Sequence, residues 1–154
     1  MLSLYQGALP TYDIYIKWES LAQSKNAGAL SIFTGIVREE IQAEGQIEAL
    51  SFDIYEPLLQ KWFDKWQQYA QKEHNAYLCM AHSIGDVSVH QSSYMCGIIS
   101  SNRKGVLSVY ELFIEDFKAN APIWKYDVIH HRRIYAKERS KTLAGSGILA
   151  PKSF

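Results

Sequence analysis

The sequence predicts a single α+β domain built on a largely antiparallel sheet. Strand-like and helix-like segments are mixed, without the regular alternation of strand and crossover helix that is typical of parallel sheets. The chain has 154 residues, 47% of them hydrophobic and 13% aromatic, which is enough for one folded core. We assign residues 1–140 to this domain. Residues 141–154, which contain Gly145, Gly147 and Pro151, are predicted to form a mobile C-terminal tail.

Turn residues divide the first part of the chain. Residues 2–16 are predicted as strand material interrupted at Gly7 and Pro10, and a short helix around residues 18–22 is expected to end before Asn26. A clearer strand follows, because the next segment is rich in β-branched and apolar residues. That strand covers residues 29–38 and places Arg38 where it meets a loop.

The middle of the chain alternates between strands and one amphipathic helix. Residues 39–46 are predicted as a polar loop with Gly45 as its turn residue, and residues 47–55 as a second strand. Glu56-Pro57 begins a helix, since proline is favoured in a first turn. Beyond this helix we expect a strand over residues 76–84, a turn at Gly85-Asp86 and one or two strands over residues 87–101.

A second helix ends in a cationic corner. Ser101 or Asn102 can cap the start of this helix. The apolar residues at helical spacing are Val109, Leu112, Phe113 and Phe117. They place Lys118 in the last turn, where a cation interacts favourably with the helix dipole. Pro122 then stops the helix and directs Lys125 along a new vector. Trp124 is expected to anchor this corner by burial.

Four cations stand at element boundaries, where side chains can converge on a cleft: Arg38, Arg103, Lys118 and Lys125. An arginine fork binds phosphate or carboxylate in two places, and a lysine supplies a point charge or a proton. The residues alone leave two interpretations open. The cations either share one anion site or are ordinary solvated side chains at element ends.

Other chemistry receives less support. The chain has 16 basic and 16 acidic residues, so a cationic site has to be local, and residues 130–133 are more simply a solvated charged face than a nucleic-acid site. Cys79 and His82 would point to opposite faces of a strand, which disfavours a metal site. Trp62 and Trp66 fit a core better than a stacking platform.

We also expect a cytoplasmic protein. The N-terminus lacks a basic region followed by an apolar stretch, and no apolar run approaches the length of a membrane helix, so we expect no membrane partner. Both cysteines, Cys79 and Cys96, lie inside apolar runs, which fits reduced core thiols, although a disulfide between them stays open.

Several short motifs resemble the large subunit of molybdopterin synthase in order and spacing, over about residues 28 to 125. They are Gly28-Ala29, Phe33-Thr34-Gly35-Ile36-Val37-Arg38, His82-Ser83-Ile84-Gly85, Asn102-Arg103, Phe117-Lys118 and Ala121-Pro122-Ile123-Trp124-Lys125. The resemblance implies a fold of the α/β hammerhead type and a homodimer that carries a small ubiquitin-like subunit at each end, which makes a heterotetramer. It also implies a sulfurtransferase. The thiocarboxylated Gly-Gly terminus of the small subunit delivers sulfur to cyclic pyranopterin monophosphate, giving the dithiolene of molybdopterin without a metal or a cofactor in this step.

The resemblance also assigns roles to residues. Lys118 matches the catalytic lysine nearest the thiocarboxylate, and Lys125 matches the second catalytic lysine, beside the pterin. Substrate contacts carried over in the same way are Ile36, Val37, Arg38, Asn102, Arg103, Lys118, Lys125, Tyr126 and Asp127. Cations at these positions offset the repulsion between two anionic reactants.

Two departures from the family pattern leave alternatives open. Many relatives carry His-Arg where this chain has Asn102-Arg103, and asparagine cannot titrate. If the histidine is a proton shuttle, a lysine or a water has to replace it; a non-catalytic module that binds a ubiquitin-like tail is therefore the alternative function. After Asp127, either Arg133 or Arg139 takes the place of a late arginine.

Overall fold

Nine strands and three helices make up residues 1–136, the part of the chain that the computed structural model describes. They are, in chain order, β1 (Leu2–Gln6), α1 (Thr11–Ser24), β2 (Ala29–Ile36), β3 (Ile41–Gln42), β4 (Gly45–Gln46), β5 (Ala49–Ile54), α2 (Glu56–His74), β6 (Ala76–Ser88), β7 (Ser92–Ser100), α3 (Arg103–Asn120), β8 (Ile123–Ile129) and β9 (Arg132–Tyr135). The predicted domain end at residue 140 and the predicted tail, residues 141–154, lie outside the described residues.

Seven strands form one sheet in the order β2-β7-β6-β5-β8-β9, with β1 paired to β6. Every pair in this sheet is antiparallel except β1 with β6, which is parallel. The predicted polar loop contains a separate small hairpin, β3 with β4, and Gly45 lies in it at φ +137°. The predicted α+β class with a mostly antiparallel sheet is confirmed.

Helices cover both faces of the sheet, so its central strands are buried on two sides. Along β7, Tyr94, Cys96 and Ile98 pack toward α2 and α3, whereas Met95 and Ile99 pack toward α1. This two-sided burial explains the nearly unbroken apolar run of β7. Helix α2 begins at Glu56-Pro57 as predicted and buries one apolar stripe, which consists of Leu59, Trp62, Phe63, Trp66 and Ala70.

The first helix is longer than the sequence pattern predicted. Residues 11–16 were expected to be strand, but they form the first half of α1. Ile14, Trp18 and Ala22 recur every fourth residue and are buried against the sheet, while Tyr12 and Ile16 face outward, 74% and 42% exposed. The short alternation of apolar and polar residues in this segment is compatible with a strand. Packing of the apolar residues against the sheet favours the helix.

The predicted turn at Gly85-Asp86 is also wrong. β6 runs through both residues and changes partner there: residues 76–82 pair with β7, and residues 85–88 pair with β5. Gly85 adopts φ +77°, a conformation that glycine takes without steric cost, and it provides the local irregularity at this change of partner. The reversal into β7 comes at residues 89–91, where His90 has φ +70°.

Cys79 and Cys96 are both free and buried. They belong to the clusters on opposite faces of the sheet, with Cys79 on the α1 side and Cys96 on the side of α2 and α3. None of the three helices within residues 1–136 combines the length and the apolar character needed to cross a bilayer.

Candidate active site

The cationic corner forms at the end of α3. Val109 and Phe113 are fully buried, and this periodicity leaves Lys118 exposed in the last turn of the helix. Ala121 leaves the helix in extended geometry, at φ −62° and ψ 131°, as a residue before proline is expected to do. The next element, β8, begins directly after Pro122 and carries Lys125. The predicted helix end and change of direction are confirmed.

Trp124 does not anchor this corner by burial. Its side chain is 40% exposed, and Ile123 packs into the core instead. Successive residues of a strand point to opposite faces, so only one of the two can face the core. The register of β8 on β5, which pairs Trp124 with the exposed Asp53, decides that it is Ile123.

An aromatic cluster connects the segments that carry the two lysines. It consists of Phe52, His82, Tyr94 and Phe117, and His82 lies at its centre. The His82 ring meets Phe52 edge-on, with centroids 4.8 Å apart, and lies 5.7 Å from the ring of Phe117.

Each lysine has a neighbour in this cluster. Phe117 immediately precedes Lys118 in the chain, and Phe52 is the direct cross-strand partner of Lys125. Paired residues project from the same face of a sheet, so the half-buried Lys125 leaves β8 on the cluster side. The segments that carry Lys118 and Lys125 therefore meet at one aromatic cluster.

The end of β2 reaches the same region. Gly35 pairs with Tyr94 of the aromatic cluster, and Val37 packs with Phe52 in a small buried group. Arg38 follows as an exposed side chain that forms a salt bridge with Glu40, 2.5 Å between Nη2 and Oε1. Arg38 thus emerges beside the segments that carry Lys118 and Lys125.

Ile36 and Val37 differ in their accessibility. Ile36 is 61% exposed, whereas Val37 is 1% exposed. The Val37 N–H donates to the Gln91 carbonyl, and its own carbonyl accepts from the His90 N–H. Ile36 is accessible to a ligand, whereas the Val37 side chain is buried with Phe52; substrate contact by either residue stays a prediction.

Arg103 and Asn102 lie at the far end of α3 from Lys118. Fifteen residues separate Arg103 from Lys118 in this helix, which corresponds to about 22 Å at the rise of an α-helix. The Asn102 side-chain oxygen accepts hydrogen bonds from the backbone N–H groups of Lys104 and Gly105, at 3.0 and 3.2 Å. The predicted capping role is confirmed, and a single chain does not bring Arg103 to the two lysines.

Tyr126 and Asp127 leave β8 on different faces. Alternation along the strand places Asp127, which is buried, on the face of Lys125, and Tyr126 on the other face. The Cζ atom of Arg133 lies over the Tyr126 ring, 4.0 Å from the ring centroid. Arg133 Nη2 also donates a hydrogen bond to Asp53 Oδ1 at 2.7 Å. Substrate contact by Asp127 is compatible with this arrangement, and Tyr126 is separated from Lys125. Arg139 lies outside the described residues.

Sequence reasoning did not identify the position of His82 between the two lysine segments. Burial lowers the pKa of His82 to about 4, so the ring is neutral near pH 7. Nδ1 lies 2.8 Å from the Ser83 carbonyl oxygen, which only accepts, so Nδ1 carries the proton. The available signals were a histidine inside the apolar strand of residues 76–84 and its place in the motif His82-Ser83-Ile84-Gly85, and neither shows which rings the histidine contacts.

The predicted spacing of Cys79 and His82 can be compared with their positions in the sheet. Cys79 and His82 belong to opposite sides of the sheet, as their spacing predicted. Among residues 1–136, histidine, cysteine and carboxylate side chains nowhere form a group of three that could hold a metal ion.

Comparison with known proteins places this arrangement in a family. The model of the family described as MoaE protein matches residues 12–120. The chain belongs to the MoaE family. The molybdopterin synthase catalytic subunit of Helicobacter pylori strain 26695 is 55% identical over 150 residues, which cover 97% of this chain and 100% of that protein. The Arabidopsis thaliana subunit of the same name is 26% identical over 138 residues, which cover 89% of this chain and 69% of that protein.

Solved structures of the MoaE family and its relatives have the same fold. A complex of subunits 1 and 2 of molybdopterin-converting factor from Helicobacter pylori 26695 contains a chain with 54% identity and a TM-score of 0.84, covering 97% of this chain and 99% of that one. Molybdopterin synthase from Staphylococcus aureus gives a TM-score of 0.74 at 22% identity, over 86% of this chain and 94% of that one, which indicates a shared fold.

Proposed function

We propose that this chain is the catalytic subunit of a molybdopterin synthase, a sulfurtransferase of molybdenum cofactor biosynthesis. It transfers sulfur from the thiocarboxylated C-terminus of a small ubiquitin-like subunit to cyclic pyranopterin monophosphate, and two transfers give the dithiolene. The observation that carries this proposal is the 55% identity, over 100% of its length, to a molybdopterin synthase catalytic subunit. Free cysteines are typical of a reducing compartment, which supports a cytoplasmic location.

The cationic corner suits this reaction electrostatically. The sulfur donor carries a thiocarboxylate and the acceptor a cyclic phosphate, so two anions have to approach each other. Lys118, exposed in the last turn of α3, neutralises the incoming tail, and the half-buried Lys125 binds beside the pterin. Ammonium groups at these positions also donate protons to the oxygen that leaves when sulfur attacks. Arg38 adds a guanidinium group that binds the phosphate in place of its partner Glu40.

We assign the substrate contact of Arg103 to the site of a second copy of the chain. Since Arg103 is about 22 Å from Lys118 along one helix, it reaches this site only from the partner in the homodimer. The Asn102 oxygen is occupied by capping, so Asn102 offers the substrate only its amide N–H group. A proton shuttle in this enzyme is then a lysine or a bound water.

Reconstitution with purified components tests the proposal. Wild-type protein incubated with cyclic pyranopterin monophosphate and thiocarboxylated small subunit should form the dithiolene, and Lys118→Ala and Lys125→Ala should each lose most product. Lys72→Ala is the matched control, because Lys72 also lies in the last turn of a helix but belongs to α2. It should keep full activity.

The possible outcomes separate the enzyme from a binding module. Tight binding of the small subunit without any product from the wild type would favour the non-catalytic module. Full activity of both Lys118→Ala and Lys125→Ala would contradict the roles of these lysines.

A further inference from the structure

Asp116 is a buried carboxylate near the cationic corner, and the proposed sulfur transfer does not use it directly. Asp116 is 0% exposed and belongs to the last turns of α3. Its Oδ2 accepts hydrogen bonds from the indole N–H groups of Trp62 and Trp66, at 3.1 and 2.6 Å. Its Oδ1 accepts from the side-chain amide of Asn120, at 2.6 Å. The two oxygens thus connect different parts of the molecule.

A carboxylate is a costly way to pack α2 against α3. A buried charge needs donors to replace water, and an apolar side chain of similar size often packs at least as well. In the described chain the hydrogen-bond partners of Asp116 are two indoles and an amide, all neutral donors. Packing alone does not explain the carboxylate. Its hydrogen bond with Asn120 connects the core to the end of α3, and a leucine could not form this bond.

The bonds of Asp116 fix the residues on both sides of Lys118. Asn120 is the last residue of α3 and leads directly into the turn at Pro122. Trp62, held by the other oxygen, packs its ring edge-on against Phe117, with centroids 6.3 Å apart. Lys118 therefore lies between two residues whose positions depend on one carboxylate.

We propose that Asp116 is a positioning residue for sulfur transfer. It acts through Asn120 and Trp62 to hold the last turn of α3, and hence Lys118 and the entry into the strand of Lys125, in the reactive geometry. This inference rests on the proposed function. A displacement of about 1 Å in a reacting group can lower a rate by up to about a hundredfold, so a loose helix end is expected to slow the reaction.

Asn120→Ala tests the inference, because this exposed side chain is the only link from Oδ1 to the helix end in the described residues. We expect the single-turnover rate constant, per folded molecule at 25 °C, to fall about tenfold. The KM for the precursor and the affinity for the small subunit should stay unchanged. Asn120→Gln keeps an amide donor and should recover at least half of the lost rate.

Gln60→Ala is the matched control. Gln60 donates its side-chain amide to Asp64 over the same four-residue spacing, at 2.8 Å, on the exposed face of α2. This variant loses an equivalent bond away from the corner, so its rate should equal that of the wild type.

The energetic coupling between Asp116 and Asn120 can be measured with a double variant. If Asn120 acts through Asp116, the double variant Asp116→Asn with Asn120→Ala should be no slower than Asp116→Asn alone. A wild-type rate for Asn120→Ala, an equal loss in Gln60→Ala, or fully additive losses would overturn the inference. Failure of the proposed function is distinguishable, since the wild type would then form no product.

Discussion

The ring of Phe117 stacks on the ring of Tyr94, with centroids 3.9 Å apart and planes 8° from parallel. Tyr94 lies on β7, and its neighbours in the sheet are Gly35 on β2 and His82 on β6. Phe117, the residue before Lys118, therefore packs on a tyrosine whose strand is paired with strands on both sides. This stack orients the end of α3, which carries Lys118, relative to the sheet.

Removal of this stack should weaken the fold. Phe117→Ala should lower the free energy of unfolding by about 2 to 3 kcal/mol, because a half-buried aromatic ring and its stacking partner are lost. Urea denaturation followed by circular dichroism measures the change. Leu112→Ala, on the exposed side of the same helix at 39% exposure, should cost less than about 1 kcal/mol. Equal losses in the two variants would refute the importance of the stack.

Stability should depend on pH through His82. Its pKa is lowered by burial from 6.5 in the unfolded chain to about 4 in the folded protein. Between these pH values the unfolded chain binds a proton on this ring and the folded protein does not. The free energy of unfolding therefore falls as the pH decreases from 6.5 to 4, by about 3 kcal/mol in total from this group.

The contribution of His82 can be isolated by difference. Unfolding free energies of wild type and His82→Gln are compared at pH 4.5, 5.5 and 7.5, so that contributions from other titrating groups cancel. The wild type should lose more stability than the variant on acidification. Parallel pH curves for the two proteins would contradict the prediction.

Asn102 should contribute to stability as a helix cap, separately from any substrate contact. Asn102→Ala should lower the free energy of unfolding by about 1 kcal/mol, because the backbone N–H groups of Lys104 and Gly105 lose their acceptor. Asn102→Asp keeps an acceptor and favours the helix dipole, so it should be as stable as the wild type. Thermal denaturation compares the three proteins, and a loss of stability in both variants would argue against capping.

Arg133 should contribute little to stability despite its two partners. Its bond to Asp53 and its contact with the Tyr126 ring lie on the exposed side of the sheet. We expect Arg133→Ala to cost less than about 1 kcal/mol, and less still in 1 M salt, where exposed charges are screened. Urea denaturation at both salt concentrations checks this. A larger cost that persists in high salt would contradict it.

The cationic corner could be predicted because its signals are local. A capping residue, an apolar helical period and a proline lie within one stretch of sequence, and the structure confirms the helix and its end from Asn102 to Pro122. A helix of this length also implies that Arg103 and Lys118 are far apart, since the two residues stand at its opposite ends. Residues 11–16 and Gly85 were interpreted wrongly because short apolar alternation and a single glycine each fit more than one structure.

The family, the α+β class and the two lysines on either side of Pro122 could be read from residue order, because they depend on motifs and on backbone rules that act over a few positions. Which side chains lie near one another depends on how the whole chain packs. Strand register turned Ile123 inward and Trp124 outward, and the pairing of β5 with β8 brought Lys125 to the cluster that contains His82 and Phe117. Such contacts join residues far apart in the chain, so packing of the whole sheet and its helices selects them.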